Sequence, residues 1–390
     1  MIKDDYSFGI IIIGYKNKNG IKRLLDSISK VNYLGDKNIK LIISIDFSGD
    51  YSVKKVAEDF YWEYGEKIII EYDKNLGLKN HILKCGDYLN KYNLLAAAVL
   101  EDDIYVAPSM YGYMKATVEY YKDDSRIAGI SFYKHELDVL AKKRFDDLAD
   151  DGDVYFIQYA ASWGQVWIRD KWNDFKKWYL EEQWIKMDKK KIPKNILMWE
   201  NSWLKYHIMY CIDKNLYFVY PRISQTTNFS DVGVHRNKTT TAMQVKLSIE
   251  KKIKWNLKTL DESLAIYDAY FENECLRKYL QINDLIINLN GVKRDISSSR
   301  FLLSSNILPY ACIKSWGLNF RPIEMNIFLN NPGKDLFLYD TTKKVNKIYN
   351  KKHNLREYEY ELKGINIIKK ETFIFIFNSI INNIYYRLKK

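Results

Sequence analysis

The stretch Leu94-Leu95-Ala96-Ala97-Ala98-Val99-Leu100-Glu101-Asp102-Asp103 decides the fold. Its apolar part runs without the alternation of a half-exposed strand, so it reads as a strand buried on both faces. It stops at three carboxylates. Working outward, three runs of the same kind precede it: Phe8 to Ile13, Leu41 to Ile45 ending at Asp46, and Ile68-Ile69-Ile70. Helical spacing separates them. Gly20 to Val31 places Ile21, Leu24, Leu25 and Ile28 on one stripe, and Val53 to Trp62 and Leu78 to Leu89 read as further helices. This βαβαβαβ alternation predicts an α/β fold with a mostly parallel sheet covered by helices on both faces. Such sheets bind ligands beyond the carboxyl ends of their strands, where Asp46 and the acidic triplet fall.

No GxGxxG follows the first strand and no GxxxxGK[ST] occurs, so dinucleotide-binding and P-loop readings lose their main support. Three adjacent carboxylates repel one another unless a cation neutralises them. A hard divalent ion such as Mn²⁺ or Mg²⁺ takes oxygen ligands and bridges one or two carboxylates to substrate phosphates. A solvated turn is the plain alternative.

The chain has 390 residues, 47% of them hydrophobic and 28% charged, which excludes wholesale disorder. Its length suggests two domains, or one with an appendage. The four cysteines (Cys85, Cys211, Cys275, Cys312) form no CxxC pair, which argues against a zinc site or a disulfide framework. The start, Met1-Ile2-Lys3-Asp4-Asp5, is too acidic for a signal peptide, and no stretch reaches the ~18 apolar residues of a membrane span. The expectation is a cytoplasmic protein. Of the net charge of +12, 8 units lie after position 340. A basic tail suits an anionic surface, or is merely a solvated helix.

The segment Val99-Leu100-Glu101-Asp102-Asp103-Ile104-Tyr105-Val106-Ala107-Pro108 resembles the metal-binding segment of GT-A glycosyltransferases. It is most similar to the N-acetylglucosaminyltransferase I family and to bacterial family-2 enzymes of surface-polysaccharide synthesis. Further segments resemble the family in the same order. These are Ala161-Ser162-Trp163-Gly164-Gln165-Val166-Trp167, Trp199-Glu200-Asn201-Ser202-Trp203, and Tyr220 to Phe229 followed by Gly233-Val234-His235. The resemblance covers about Phe8 to His235 and implies a GT-A domain over residues 1–240. It implies Asp103 as metal ligand with His235 completing the metal site or touching the diphosphate, and Asp102 at the nucleotide. Tyr15, Asp46 and His81 fall where family members contact the nucleotide. Glu101, Trp163, Gly164 and Trp199 fall beside donor sugar and acceptor, and Glu200 where the family has its general base. The stretch from Tyr220 is the family's loop closing over the donor. The spacing between Trp199 and Trp203 departs from the family's acidic segment.

The implied activity is metal-dependent, inverting transfer of a sugar from a UDP-sugar to a glycan or lipid-linked glycan, with no nucleic acid among the partners. Charge developing on the leaving diphosphate calls for a metal ion, and the attacking hydroxyl calls for a carboxylate base. Seven of the 10 tryptophans lie between Trp163 and Trp203, and flat indole faces suit sugar rings. Packing is the other role for them, expected for Trp172 and Trp178. Arg222 suits a phosphate or an internal salt bridge. A nucleotidyltransferase, or a carbohydrate-binding protein on a decayed fold, are the rival readings.

Residues 241–390 read as a mainly helical extension, with helices over Ala242 to Lys258 and Ser263 to Tyr279. The stretch Trp316-Gly317-Leu318-Asn319-Phe320-Arg321-Pro322-Ile323-Glu324 resembles bacterial members of the same group, with no chemistry attached. Phe373, Phe377, Ile380, Ile381, Ile384 and Leu388 share one helical stripe between basic flanks. That pattern suits a helix on the inner face of the cell membrane, on a partner, or docked on its own domain.

Overall fold

A computed structural model describes residues 7–229, 243–296 and 298–346 and, in the tail, residues 356, 358–362, 369–370, 372–374, 376–378 and 380–381. Gly233, Val234 and His235 lie outside the described residues.

The first hundred residues form β1 (Ser7–Gly14), α1 (Lys18–Ile28), β2 (Ile39–Ile45), α2 (Ser52–Asp59), β3 (Lys67–Glu71), α3 (Leu78–Lys91) and β4 (Leu94–Glu101). They match the sequence reading closely. Next come β5 (Ile104–Val106), α4 (Met110–Tyr121), β6 (Ile127–Ser131), a short ribbon of β7 (Leu137–Asp138) and β8 (Lys143–Arg144), β9 (Val154–Ile157) and β10 (Gln165–Ile168). They are followed by α5 (Arg169–Leu180), α6 (Lys194–Leu197), α7 (Trp203–Lys214), β11 (Tyr217–Pro221) and β12 (Thr226–Asn228).

The main sheet has the order β13-β9-β11-β6-β10-β4-β1-β2-β3, its edge strand β13 being Ile266–Tyr267. β4, β1, β2 and β3 run parallel, while β10 is antiparallel to both β4 and β6. β6 and β11 are again parallel. The carboxyl ends of β1, β2, β4, β6 and β11 therefore share one edge.

Side chains leave a strand alternately to its two faces, so each apolar run feeds two cores. Ile10 and Ile12 of β1 pack with Leu41, Ile43, Ala96 and Ala98 beneath α1 and α4. Ile11 and Ile13 pack with Ile42, Ala97 and Val99 beneath α3, α5 and α7. At about 25 cal/mol per Å² of buried apolar surface, this two-sided burial is the main force holding the layers together.

The C-terminal third corrects the expectation of a mainly helical extension. Its helices are short, α8 (Cys275–Leu280) and α9 (Met325–Phe328). β14 (Leu285–Asn288), β15 (Phe301–Ser304), β16 (Tyr310–Trp316) and β17 (Leu336–Lys344) form a second sheet in the order β14-β15-β17-β16. Period-two burial decides it: Leu285, Ile287, Leu303 and Leu338 fill one core, and Ile286, Leu302 and Tyr339 fill another on the opposite face. The stretch expected as a helix over Ala242 to Lys258 runs irregularly along α4 where it is described. Asp153 draws it out, accepting the Asn256 N–H at 2.7 Å and pairing with Lys252 Nζ at 2.6 Å. Trp255 packs on Tyr113 with ring centroids 4.9 Å apart.

Candidate functional site at the carboxyl edge of the sheet

The acidic triplet ends β4 and turns at once into β5. β5 pairs antiparallel with β12, setting Asn228 opposite Ile104 and Thr226 opposite Val106. The Phe229 N–H donates to the Asp103 carbonyl at 3.4 Å. From the other side, the Asp102 carboxylate accepts the Tyr15 N–H at 3.2 Å. α1 presses on the same turn, where a Cβ on Gly20 would stand 2.4 Å from the Asp102 carbonyl oxygen. Asn17 caps that helix, its Oδ1 accepting the Gly20 N–H at 2.9 Å.

All three carboxylates are half-buried. Burial pushes Asp102 up to about 7, with the Asp103 charge adding to the rise and the Tyr15 and Asn17 donors opposing it. Glu101 is held well above the usual carboxylate range by burial, then by Asp103 and Asp102.

Trp163 and Gly164 lead directly into β10, whose Gln165 faces Val99 two residues before Glu101. Gly164 has φ +94°, and a Cβ there would lie 3.0 Å from Thr226 Cγ2 and 3.3 Å from Leu100 Cδ2. The turn thus needs glycine for its conformation and for the close approach of three strands. Trp163 is half-buried, its carbonyl accepting the Thr226 hydroxyl at 2.6 Å and its ring lying 4.6 Å from that of Tyr133.

Asp46 and His81, expected at the nucleotide, are both buried. Asp46 is 3% exposed, and its oxygens accept the N–H groups of Phe47 (2.9 Å), Leu76 (2.8 Å) and Gly77 (3.0 Å). It pins the loop that opens α3. His81 Nε2 shares a hydrogen bond with Ser44 Oγ at 2.7 Å. Burial lowers it to about 4, against the pull of Asp46. Its ring serves a buried Ser44–Tyr88–Tyr72 network.

Glu200 is exposed and Trp199 half-buried, in the link between α6 and α7. Lys205 Nζ ties that link by bonds of 2.9 Å to the carbonyls of Leu197 and Trp199. α7 returns into β11, so its first turn stands at the same sheet edge as the triplet. Trp172 and Trp178 are buried packing residues, as expected. Arg222 is structural: it pairs with Asp147, reaches Asp150 at 2.6 Å and donates to the Gly152 carbonyl at 2.7 Å.

The stretch read as a loop closing over the donor is, as far as Phe229, mostly interior. Ser224, Gln225, Thr226 and Asn228 are buried. Gln225 Oε1 accepts the Ser109 hydroxyl at 2.6 Å, and the Gln225 N–H donates to the Phe132 carbonyl at 2.7 Å. Sequence reading missed Arg23, whose guanidinium covers the Phe229 ring at 4.1 Å. It also missed Asn17 and Gly20. Both lie just past the first strand, where an N-cap signal is readable.

Among the described residues no three His, Cys, Asp or Glu side chains group to hold a metal. The chain offers instead Asp103 with Asp102 beside it, both hard oxygen donors. Two adjacent carboxylates, with Asp102 raised by burial and by the charge of Asp103, fit a divalent ion whose remaining ligands are phosphate oxygens and water.

Fold and site together define an α/β protein with an acidic, aromatic-flanked site at the carboxyl edge of a mostly parallel sheet. No family model matches the chain, and no curated protein matches it. It is similar to solved glycosyltransferase structures. These include S. aureus TarS 1-349, 11% identical over 56% of this chain and 59% of that one, with TM-score 0.36. TarS 1-349 in complex with UDP-GlcNAc is 13% identical over 59% and 60%, with TM-score 0.36. The mannosyltransferase PcManGT from Pyrobaculum calidifontis, in complex with GDP-Man and Mn²⁺, is 14% identical over 42% and 44%, with TM-score 0.30. The matches span less than two thirds of each of these neighbours. At such values the likeness assigns no role to any residue.

Proposed function

We propose that the chain is a metal-dependent, inverting glycosyltransferase that moves a sugar from a UDP-sugar to a glycan acceptor in bacterial surface-polysaccharide synthesis. The observation that carries this reading is the triplet Glu101-Asp102-Asp103, wedged between α1 and the β5–β12 pair at the carboxyl edge. Asp103, with Asp102 beside it, holds Mn²⁺ or Mg²⁺ in this reading, and His235 is the further ligand the sequence suggests. The ion, when bound, stabilises charge on the departing diphosphate.

The chain's own residues do the rest. Tyr15 and Asp102, joined by their hydrogen bond, flank the nucleotide. Asp46 acts at one remove by fixing the loop at Leu76 and Gly77, and His81 by bracing Ser44 at the end of β2. Trp163, held by Thr226, and Trp199 present ring faces to donor sugar and acceptor. Glu200 takes the proton of the attacking hydroxyl as the new bond to the anomeric carbon forms. The old bond breaks with its electron pair leaving on the diphosphate, and one displacement inverts the centre. Exposure suits Glu200 to this task, since a base for an incoming acceptor must be reachable.

In the same reading residues 1–240 bind donor and metal, and the 241–390 extension contributes the edge strand β13 and the second sheet. The tail is proposed to rest on the cytoplasmic face of the membrane. Among the described residues no helix is long and apolar enough to cross a membrane. Phe373, Ile376, Phe377 and Ile380 are nonetheless 45–66% exposed on helical turns that begin at Lys369-Lys370.

A thermal-shift screen of nucleotide sugars with and without Mn²⁺ tests the proposal. A ligand that binds only the folded state raises its melting temperature by mass action. Stabilisation by one donor only when the metal is present is expected. No response to any nucleotide sugar overturns the reading.

A further inference from the structure

Between α5 and α7 the chain forms a small lobe of two 3₁₀ turns, Gln183–Lys186 and Lys189–Lys191, and the short α6. Its inner side is fixed. Ile192 and Ile196 are buried in the core beneath α3, α5 and α7, and Trp184 packs on Tyr206 with ring centroids 5.2 Å apart. The Tyr270 hydroxyl donates to the Lys190 carbonyl at 3.3 Å. Its outer side carries Lys186, Lys189, Lys190, Lys191 and Lys194, all exposed. Among the described residues none of these five ammonium groups stands in a salt bridge. Apolar side chains are exposed in the same stretch: Leu180 at its start is 66% exposed, Ile185 57% and Met198 67%.

Carboxylates border the lobe without cancelling it. Glu181 lines a hollow together with Lys177 and Lys214, outside the lysine cluster. Glu200 stands near Lys205, whose ammonium burial lowers, with Glu200 opposing that fall and Lys189 adding to it. Asp188 caps the second turn, its Oδ1 accepting the Lys190 N–H at 3.0 Å. Five lysines thus face two carboxylates of their own, Glu182 and Asp188. Cations so close in the chain lie within about a Debye length of one another and act together.

We propose that this lobe docks on an anionic lipid surface, as a second contact beside the tail. Ammonium groups near an anionic leaflet are each attracted to it, and exposed apolar side chains such as Ile185 and Met198 strengthen the hold by entering the headgroup boundary. A soluble polyanion would satisfy the lysines and leave those side chains in water, so lipid is the partner that uses both. One weak membrane signal binds marginally and reversibly, whereas two give stable attachment. The lobe rests on the tail proposal for that second signal, and neither suffices alone. Docking also sets Trp199 and Glu200, in the link that leaves α6, toward the headgroups. The contact needs neither nucleotide nor metal, so its fate is separate from that of the transfer reading.

The test is co-sedimentation of the full chain with phosphatidylcholine vesicles, with and without phosphatidylglycerol, at low salt. Binding is expected only where phosphatidylglycerol is present. The combined variant K189E/K190E/K191E, with the tail intact, should weaken it about tenfold or more. I185S/M198S should weaken it about threefold or more, and D103A should leave it unchanged. All five substituted lobe positions are exposed, so the fold is not at stake. Truncation before Lys369 examines the tail separately. Release by truncation but not by K189E/K190E/K191E overturns the lobe contact and leaves the tail. Release by the lysine variant but not by truncation upholds the lobe and removes the tail. Undiminished binding in I185S/M198S, with polyphosphate competing fully for the lysines, makes the lobe a polyanion site and overturns the lipid proposal. Indifference of the full chain to phosphatidylglycerol overturns it as well.

Discussion

Asp102 accepts the backbone N–H of Tyr15 at 3.2 Å, tying the ends of the neighbouring parallel strands β4 and β1 together at the site. The bond holds a carboxylate that burial and the Asp103 charge push up to about 7. The middle member of the triplet is thus anchored, and the chain turns through Asp103 directly into β5.

Asp103→Ala should abolish metal-dependent UDP binding while the fold persists, since the mutation removes like-charge repulsion and breaks no strand. Calorimetric titration with UDP and Mn²⁺ reads it. Unchanged metal-dependent affinity would remove Asp103 from the metal site.

Glu200→Gln should keep donor binding and slow transfer by about 10²–10⁴-fold, the usual contribution of a general base. Single-turnover transfer with saturating donor measures this. A rate within a few-fold of wild type moves the base elsewhere, with Asp174, Glu181 and Glu182 next to be tested.

Gly164→Ala should destabilise the protein by about 1–3 kcal/mol, the cost of a side chain in a sparsely allowed backbone region. The added methyl would also press on Thr226 Cγ2, which is 3.0 Å from its position. Urea unfolding gives the value, and wild-type stability would refute the packing described at this turn.

Acidification should weaken the fold through its buried histidines. Burial lowers His135 and His207 to about 3 and His81 to about 4, from an ordinary 6.5. Between those values the unfolded chain binds protons that the folded chain refuses. This contribution is therefore complete above about pH 6.5 and is lost as pH falls toward 4 and below. His207→Phe replaces a ring stacked on Phe175 at 4.2 Å and should flatten the pH dependence of the urea midpoint. An unchanged slope would show that His207 does not remain neutral in the fold.

Truncation before Lys369 should release the protein from anionic liposomes and leave transfer to a soluble acceptor unchanged. Each basic residue near an anionic leaflet contributes about 1 kcal/mol, and salt screens it. Co-sedimentation at low and high salt is the measurement. Unfolding of the truncated chain, or indifference of the full chain to the liposomes, would each defeat the membrane proposal.

The sequence by itself determined the parallel half of the main sheet and the place of its acidic edge. Runs such as Ile10 to Ile13 and Leu94 to Leu100 bury both faces of a strand, so local composition carries the assignment. Gly164 was legible from its place in the Trp163–Trp167 segment. Tertiary structure alone decided the rest, because distant partners set it. Asp46 is legible in the sequence as the end of an apolar strand, and only the fold shows its oxygens accepting the N–H groups of Phe47, Leu76 and Gly77. Likewise only the fold brings Ser44, 37 residues away, to a ring nitrogen of His81. The stretch toward Trp255 has apolar residues at helical intervals, yet Asp153 and Tyr113 draw it into irregular chain. Strands as short as Leu285–Asn288 become strands only by pairing, here with Phe301–Ser304, and non-local pairing leaves little periodicity to read.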